Sequence, residues 1–244
     1  MGCVEYNMLT GLETGSFDAT VKFWDTKSNS TKPLLTLSEA KDSVSSLAVA
    51  GHHIFVGSVD GRVRTYDIRM GEVYIDLIGA PVTSVTTTNQ ADSMLVSTLD
   101  STLRLIDRKD GRCLQTYKGD GFVNETYRIR STLGAGDAFI LSGSENGEIF
   151  IWDLLEGNVK HRLRHDPGSE HKPTTGKEDV ISAVTYCPTR MEWASAGGDG
   201  TFPLMIVHQG MLTQQQAMLL CGLQTNIFPF HHSTSNRPHT SVQI

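Results

Sequence analysis

An all-β fold of tandem antiparallel units is what this sequence predicts, on three observations. A ten-residue pattern recurs roughly every forty residues. Ser16-Phe17-Asp18-Ala19 runs into Thr20-Val21-Lys22-Phe23-Trp24-Asp25, and Ser58-Val59-Asp60-Gly61 into Arg62-Val63-Arg64-Thr65-Tyr66-Asp67. Thr98-Leu99-Asp100-Ser101 runs into Thr102-Leu103-Arg104-Leu105-Ile106-Asp107, and Ser144-Glu145-Asn146-Gly147 into Glu148-Ile149-Phe150-Ile151-Trp152-Asp153. The closing residues Asp25, Asp67, Asp107 and Asp153 are spaced by 42, 40 and 46 residues. Second, the copies hold tight-turn sequences. Asp60-Gly61 and Asn146-Gly147 accept the positive φ angles of two-residue hairpins. Third, apolar runs such as Ile54-Phe55-Val56 and Phe139-Ile140-Leu141 enter the turns, and strands with period-two alternation leave them.

Each copy therefore reads as a β-hairpin. In the outgoing strand Val21/Phe23, Leu103/Leu105 and Ile149/Ile151 share one face, and Lys22, Arg104 and Phe150 take the other. The period, with Trp24-Asp25 and Trp152-Asp153 as endings, resembles that of WD-repeat β-propellers, whose blades are four-stranded antiparallel sheets packed face against face. The resemblance implies structural roles for Asp18, Asp60, Asp100, Asn146 and Asp199 in the turns, and for Trp24 and Trp152. In such repeats the turn aspartate anchors a polar network through an early His and the Trp. Here Tyr66 and Ile106 replace Trp, and Gly119-Asp120 stands where Gly-His is usual. These units are expected to lean on apolar packing instead.

Composition narrows the function classes. With 244 residues, 39% of them apolar, the chain can bury a sizeable core. A net charge of −6 supplies no basic field for nonspecific nucleic-acid binding. No run of eighteen apolar residues suggests a membrane span, and no secretory leader is visible. Cys3, Cys113, Cys187 and Cys221 are scattered, as expected of free thiols in a reducing compartment.

One stretch is more specific than the repeat. Gly57 to Gly71 carries Arg-Val-Arg at 62–64 and Asp-Ile-Arg-Met-Gly at 67–71, and Tyr117-Lys118-Gly119 and Trp152-Asp153-Leu154-Leu155-Glu156-Gly157 follow. Blade geometry demands none of these strings. They resemble the mitogen-activated protein kinase organizer family of WD-repeat proteins, over about residues 4 to 201. The resemblance implies a seven-bladed propeller without enzymatic activity. It implies a scaffold for the cascade ending in the extracellular signal-regulated kinases, associated with the catalytic spliceosome, in cytoplasm and nucleus.

Two departures from that pattern set expectations. Val4-Glu5-Tyr6-Asn7 reads as a first strand, so about two family blades are missing ahead of it. The fifth motif, Gly197-Gly198-Asp199-Gly200-Thr201, opens correctly and then fails, with Pro203 where a paired strand should run and Met205-Ile206 in the Trp-Asp slot. The expected organisation is an incomplete arc of four to five blades over 1–201, then an irregular tail over 202–244 with a short helix at Met211–Leu220. A truncated or mis-spliced gene model is the expected origin. His161 to Asp179 reads as a surface loop.

Candidate sites are few. Lys22, Arg64 and Arg104 each follow the turn residue by four positions. They offer either a basic stripe for an acidic partner or stems that cover the strand with heads in solvent. Phe17, Val59, Leu99 and Glu145 precede the turn residue at the rim, where apolar side chains serve as partner anchors or pack the hairpin. Tyr66-Asp67-Ile68-Arg69 resembles the Trp-Asp-x-Arg box of cullin-ligase substrate receptors, with Arg69 as adaptor contact or as a local partner of Asp67. His161 and His165 have metal spacing but no expected helix or further ligand. Gly134-Ala135-Gly136 lacks the setting of a dinucleotide loop, and Tyr6 breaks the lipidation pattern begun at Gly2. No catalytic, metal or cofactor site is expected. The partners expected are proteins, either kinase-cascade components and splicing factors or a cullin adaptor. An arc with two uncovered sheet faces, near Val4 to Asp25 and at the fifth motif, is expected to self-associate or to need a partner. Light scattering and calorimetry check this: a monodisperse 26.7 kDa monomer with a sharp reversible melt would contradict it.

Overall fold

The computed structural model describes residues 3–7, 11–164, 180–198 and 204–206. Among them, nineteen strands form five antiparallel sheets in chain order. The first sheet holds β1 (Cys3–Asn7), β2 (Gly11–Gly15), β3 (Val21–Trp24) and β4 (Leu35–Leu37). The second holds β5 (Val44–Ala50), β6 (His53–Ser58), β7 (Arg62–Asp67) and β8 (Glu72–Leu77). The third holds β9 (Val82–Thr87), β10 (Ser93–Thr98), β11 (Thr102–Asp107) and β12 (Cys113–Tyr117). The fourth holds β13 (Ser131–Gly134), β14 (Phe139–Gly143), β15 (Glu148–Asp153) and β16 (Val159–Arg164), and the fifth β17 (Ile181–Cys187), β18 (Glu192–Gly197) and β19 (Leu204–Ile206).

Every repeated motif is the hairpin between second and third strands. Ser58 pairs with Arg62, Thr98 with Thr102, and Gly143 with Ile149. Gly61 and Gly147 take φ of 76° and 80° in these turns. Ala19 and Ser101 sit at the same turn position with φ of 64° and 54°, a region that costs a side-chain-bearing residue roughly 1–2 kcal/mol.

The alternation decides how sheets stack. Val21 and Phe23 of β3 pack on Val44, Leu47, Ile54, Val56 and Tyr66 of the second sheet. Phe55 and Val63 meet Val82, Val85, Met94, Val96 and Ile106 of the third. Leu103, Leu105 and Tyr117 meet Phe150 and Trp152 of the fourth, and Ile149 and Ile151 meet Ile181, Val184 and Trp193 of the fifth. The inner strands of the second, third and fourth sheets thus have two covered faces, and β1, β5, β9, β13 and β17 lie beside one another in succession. Among the described residues the sheets form this series without closing into a ring, four complete and one of three strands.

Two strands differ locally from the sequence reading. His161 to Arg164 were expected in a surface loop, but they complete β16, with Arg162 opposite Phe150. The third strand of the fifth sheet does form. Leu204 to Ile206 pair with Ala194 to Glu192, beyond the expected boundary at 201. Asp199, His165, the rest of the expected loop to Asp179 and the expected helix at 211–220 lie outside the described residues.

The two Trp-Asp endings are unequal. Trp152 is fully buried, stacked on Phe150 at 5.5 Å and edge-on to Phe122 at 5.2 Å, and its Nε1 donates to Lys118 O at 3.0 Å. Trp24 is half-buried and donates to Thr14 Oγ1 at 2.9 Å. Trp152→Ala should therefore cost ~3–5 kcal/mol by urea unfolding. Trp24→Ala should cost clearly less, and equal costs would contradict this packing.

Candidate partner-binding face

The four motif turns and the loops that enter each following sheet share one end of the molecule. Val44 N donates to Ser16 O at 3.0 Å, Val59 N to Ser43 O at 3.0 Å, Leu99 N to Pro81 O at 3.0 Å and Glu145 N to Val123 O at 2.9 Å. Each turn is thereby tied to its neighbouring connection, which makes a continuous, backbone-bonded face.

The turn residues carry most of the polar structure there. Asp60 accepts from Arg62 N at 3.2 Å and Lys41 N at 3.1 Å, and takes Arg64 Nη1 at 3.3 Å and Nη2 at 2.7 Å. Asp100 repeats the arrangement with Arg104 Nη2 at 2.5 Å, and Arg104 Nη1 also reaches Thr98 Oγ1 at 2.6 Å. Asp18 accepts from Thr20 N at 3.0 Å, with Lys22 Nζ at a looser 3.7 Å. Asn146 accepts from Glu148 N at 3.1 Å and donates to Gly121 O at 2.8 Å. Burial, the largest single influence, would raise the Asp60 and Asp100 carboxyls, but the arginine bond and charge outweigh it together with the other hydrogen bonds, from Lys41 N and Ser58 at Asp60 and from Thr98 at Asp100, and both are held below the usual carboxylate range. Burial and the Glu39 carboxylate, 2.9 Å from its hydroxyl, hold Tyr66 well above the ordinary phenol range.

For Arg64 both readings of the basic trio need correction. Arg64 is 1% exposed, so it neither forms part of an open stripe nor extends its head to solvent. Lys22 and Arg104 are partly exposed, and each leans on its own turn aspartate.

Phe17 is 49% exposed, and the Arg128 guanidinium lies 4.6 Å over its ring. Val59 and Leu99 are half-buried at the same end. Glu145 is half-buried and bonded to the backbone of the neighbouring segment. Its Oε1 accepts from the consecutive backbone N–H groups of Glu125, Thr126 and Tyr127 at 2.7, 2.6 and 2.9 Å. That carboxylate fixes the segment leading to Arg128. Sequence reading missed Arg128, because the segment from Lys118 to Arg130 is aperiodic and its approach to Phe17 is long-range.

Arg69 belongs elsewhere. It follows the far end of β7, with its side chain exposed. Asp67 Oδ1 accepts from Arg69 N at 2.9 Å and Met70 N at 3.2 Å, which caps the turn through backbone and not through the guanidinium. Gly134 ends β13 and Ala135-Gly136 open the β13–β14 turn, where Asn89 N donates to Asp137 at 2.7 Å.

Comparison with known proteins agrees with this architecture. The WD domain, G-beta repeat family matches residues 31–67. WD repeat domain-containing protein 83 of Rattus norvegicus is 44% identical over 133 residues, 54% of this chain and 42% of that protein. Its Homo sapiens counterpart is 45% identical over 158 residues, 65% of this chain and 46% of that protein. The Dictyostelium discoideum homolog is 31% identical over 222 residues, covering 79% and 64% respectively. The chain carries a WD, G-beta repeat at residues 31–67 and is similar over more than half its length to WD repeat domain-containing protein 83. It spans about half the length of the first of these curated relatives.

The arginine four residues beyond the turn aspartate braces the second and third motif turns. Arg64→Ala should cost ~3–5 kcal/mol, since it strands the Asp60 carboxylate, whose side chain is only 7% exposed. Arg104→Ala, at a more open pair, should cost much less. The pH dependence follows from the lowered native carboxyls. Their unfolded values lie at about 3.9, so the stabilisation is complete above that pH and is lost as pH falls through the lower native values. Denaturant midpoints between about pH 5 and pH 2 should fall less steeply in Arg64→Met than in wild type. Parallel slopes would contradict the role given to the pair.

Proposed function

We propose that this chain is a non-catalytic WD-repeat scaffold that binds proteins through the face carrying the four motif turns. The observation that carries this reading is the exposed Phe17 ring under Arg128, set on a face whose loops are fixed by Asp60–Arg64, Asp100–Arg104 and Glu145. An aromatic–arginine pair on a preorganised surface loses little side-chain freedom when a partner covers it, and such residues dominate interface energies. The likeness to WD repeat domain-containing protein 83 and the strings at 62–64 and 67–71 support partners among components of the extracellular signal-regulated kinase cascade or splicing factors, met in cytoplasm and nucleus.

A second reading, substrate receptor of a cullin-based ubiquitin ligase, rests on Arg69. Its exposed guanidinium at the end of the molecule away from Phe17 suits an adaptor contact.

Affinity capture from cells with the full chain separates the two. Kinase-cascade or splicing components should be recovered, and Phe17→Ala should reduce their recovery at least tenfold while Arg69→Ala leaves it unchanged. Recovery of a cullin and its adaptor, lost in Arg69→Ala and retained in Phe17→Ala, would replace the first reading with the second.

A further inference from the structure

The outer rim between the first and second sheets differs from the next two inter-sheet rims. The glycine after each third strand marks the difference. A Cβ placed on Gly157 would meet Gln115 of the preceding outer strand, and one on Gly111 would meet Asp76. One placed on Gly71 meets nothing within 4 Å. The rims between second and third, and third and fourth sheets, are therefore closed by side chains of the preceding outer strand, whereas the first is open.

Register shows what lines that opening. Leu35 and Leu37 pair with Phe23 and Val21, so they lie on the face of the first sheet that packs on the second. Val73, Ile75 and Leu77 pair with Tyr66, Arg64 and Arg62, so they lie on the face of the second sheet turned toward the first. Outside the buried Phe23–Tyr66 contact the walls are uncovered: Leu35 is 48% exposed, Val73 41%, Ile75 53% and Leu77 73%.

The edge of this cleft is β8, paired only with β7. The other complete outer strands carry protection that β8 lacks. Strand β16 bears Lys160, Arg162 and Arg164, β12 has a register shift in its pairing, and β4 is three residues long and follows Pro33. Strand β8 runs six residues without Lys, Arg, Pro or a register shift, so its outer N–H and C=O groups form a regular unpaired template. Its second face carries Glu72, Tyr74 and Asp76. Neither Glu72 nor Asp76 has a cationic partner among the described ion pairs.

We propose that β8 and the apolar cleft beside it dock an extended partner segment that alternates apolar and basic residues. As an added strand, its apolar side chains continue the Val73–Ile75–Leu77 row into the cleft, and its basic side chains fall beside Glu72 and Asp76. The net charge of −6 favours a basic occupant over a second copy of this chain. The proposal is independent of the turn-bearing face, because β8 is an outer strand.

Fluorescence anisotropy with the full chain tests it, using a labelled nine-residue peptide alternating Val and Lys. Two controls are an alternating Val–Glu peptide and the Val–Lys peptide with Pro at its centre. The first peptide should bind at least tenfold more tightly than either control. Ile75→Lys should weaken it at least tenfold with unchanged circular dichroism and melting, since Ile75 is half exposed, and Glu72→Lys should shift preference toward the Val–Glu peptide. Equal binding of the Pro peptide, or no effect of Ile75→Lys, would overturn the proposal. So would an Ile75-dependent dimer in light scattering, which would make a second copy the occupant.

Discussion

Face-to-face burial between successive sheets is the constraint on which the rest of this molecule depends. A strand buried on both faces needs apolar side chains in both directions, and the inner strands supply them. Phe55 and Val63 turn to the third sheet, while Ile54, Val56 and Tyr66 turn to the first. Between the third and fourth sheets the aromatic cluster of Phe122, Phe150 and Trp152 supplies much of that burial. Aromatic pairs add roughly 0.5–1.5 kcal/mol beyond the area they bury. A buried ion pair contributes little net stability, though it is costly to break. Packing therefore holds the sheets together, and the Asp–Arg pairs set the shape of the turns.

That division explains what could be read from the sequence. Period-two alternation and the forty-residue spacing located each central hairpin, because both reflect burial and turn geometry directly. The faces assigned to Val21, Leu103, Ile149 and Phe150 match the clusters that they join. Arg64 was misread for a physical reason. Arginine is mostly exposed, and only the closeness of Asp60 in three dimensions makes its burial affordable. The Phe17–Arg128 contact joins a turn of the first sheet to the segment before the fourth, a distance that no local pattern encodes. Outer strands were the least legible. Strand β8 alternates Val73, Ile75 and Leu77 with Glu72, Tyr74 and Asp76 yet is almost wholly exposed, so its alternation does not report burial, and β19 begins directly after a proline.

The same constraint separates two kinds of surface. At the end bearing the motif turns, backbone bonds and the Glu145 carboxylate hold loops still, so exposed side chains are presented in a fixed arrangement. At the outer rim between the first and second sheets burial runs out, leaving an edge whose character depends on a few side chains. Arg69 sits at neither the Phe17 contact nor the inner core, which is why its role and that of Phe17 can be judged separately.

Hydrogen-exchange mass spectrometry of the full chain, free and bound to a captured partner, addresses the central claim most directly. The account predicts new protection confined to the turns at 16–20, 58–62 and 98–102 and to the segment 125–130, with core strands β10, β11, β14 and β15 unchanged. Protection that spares these turns and falls on the 68–71 turn around Arg69 would contradict it.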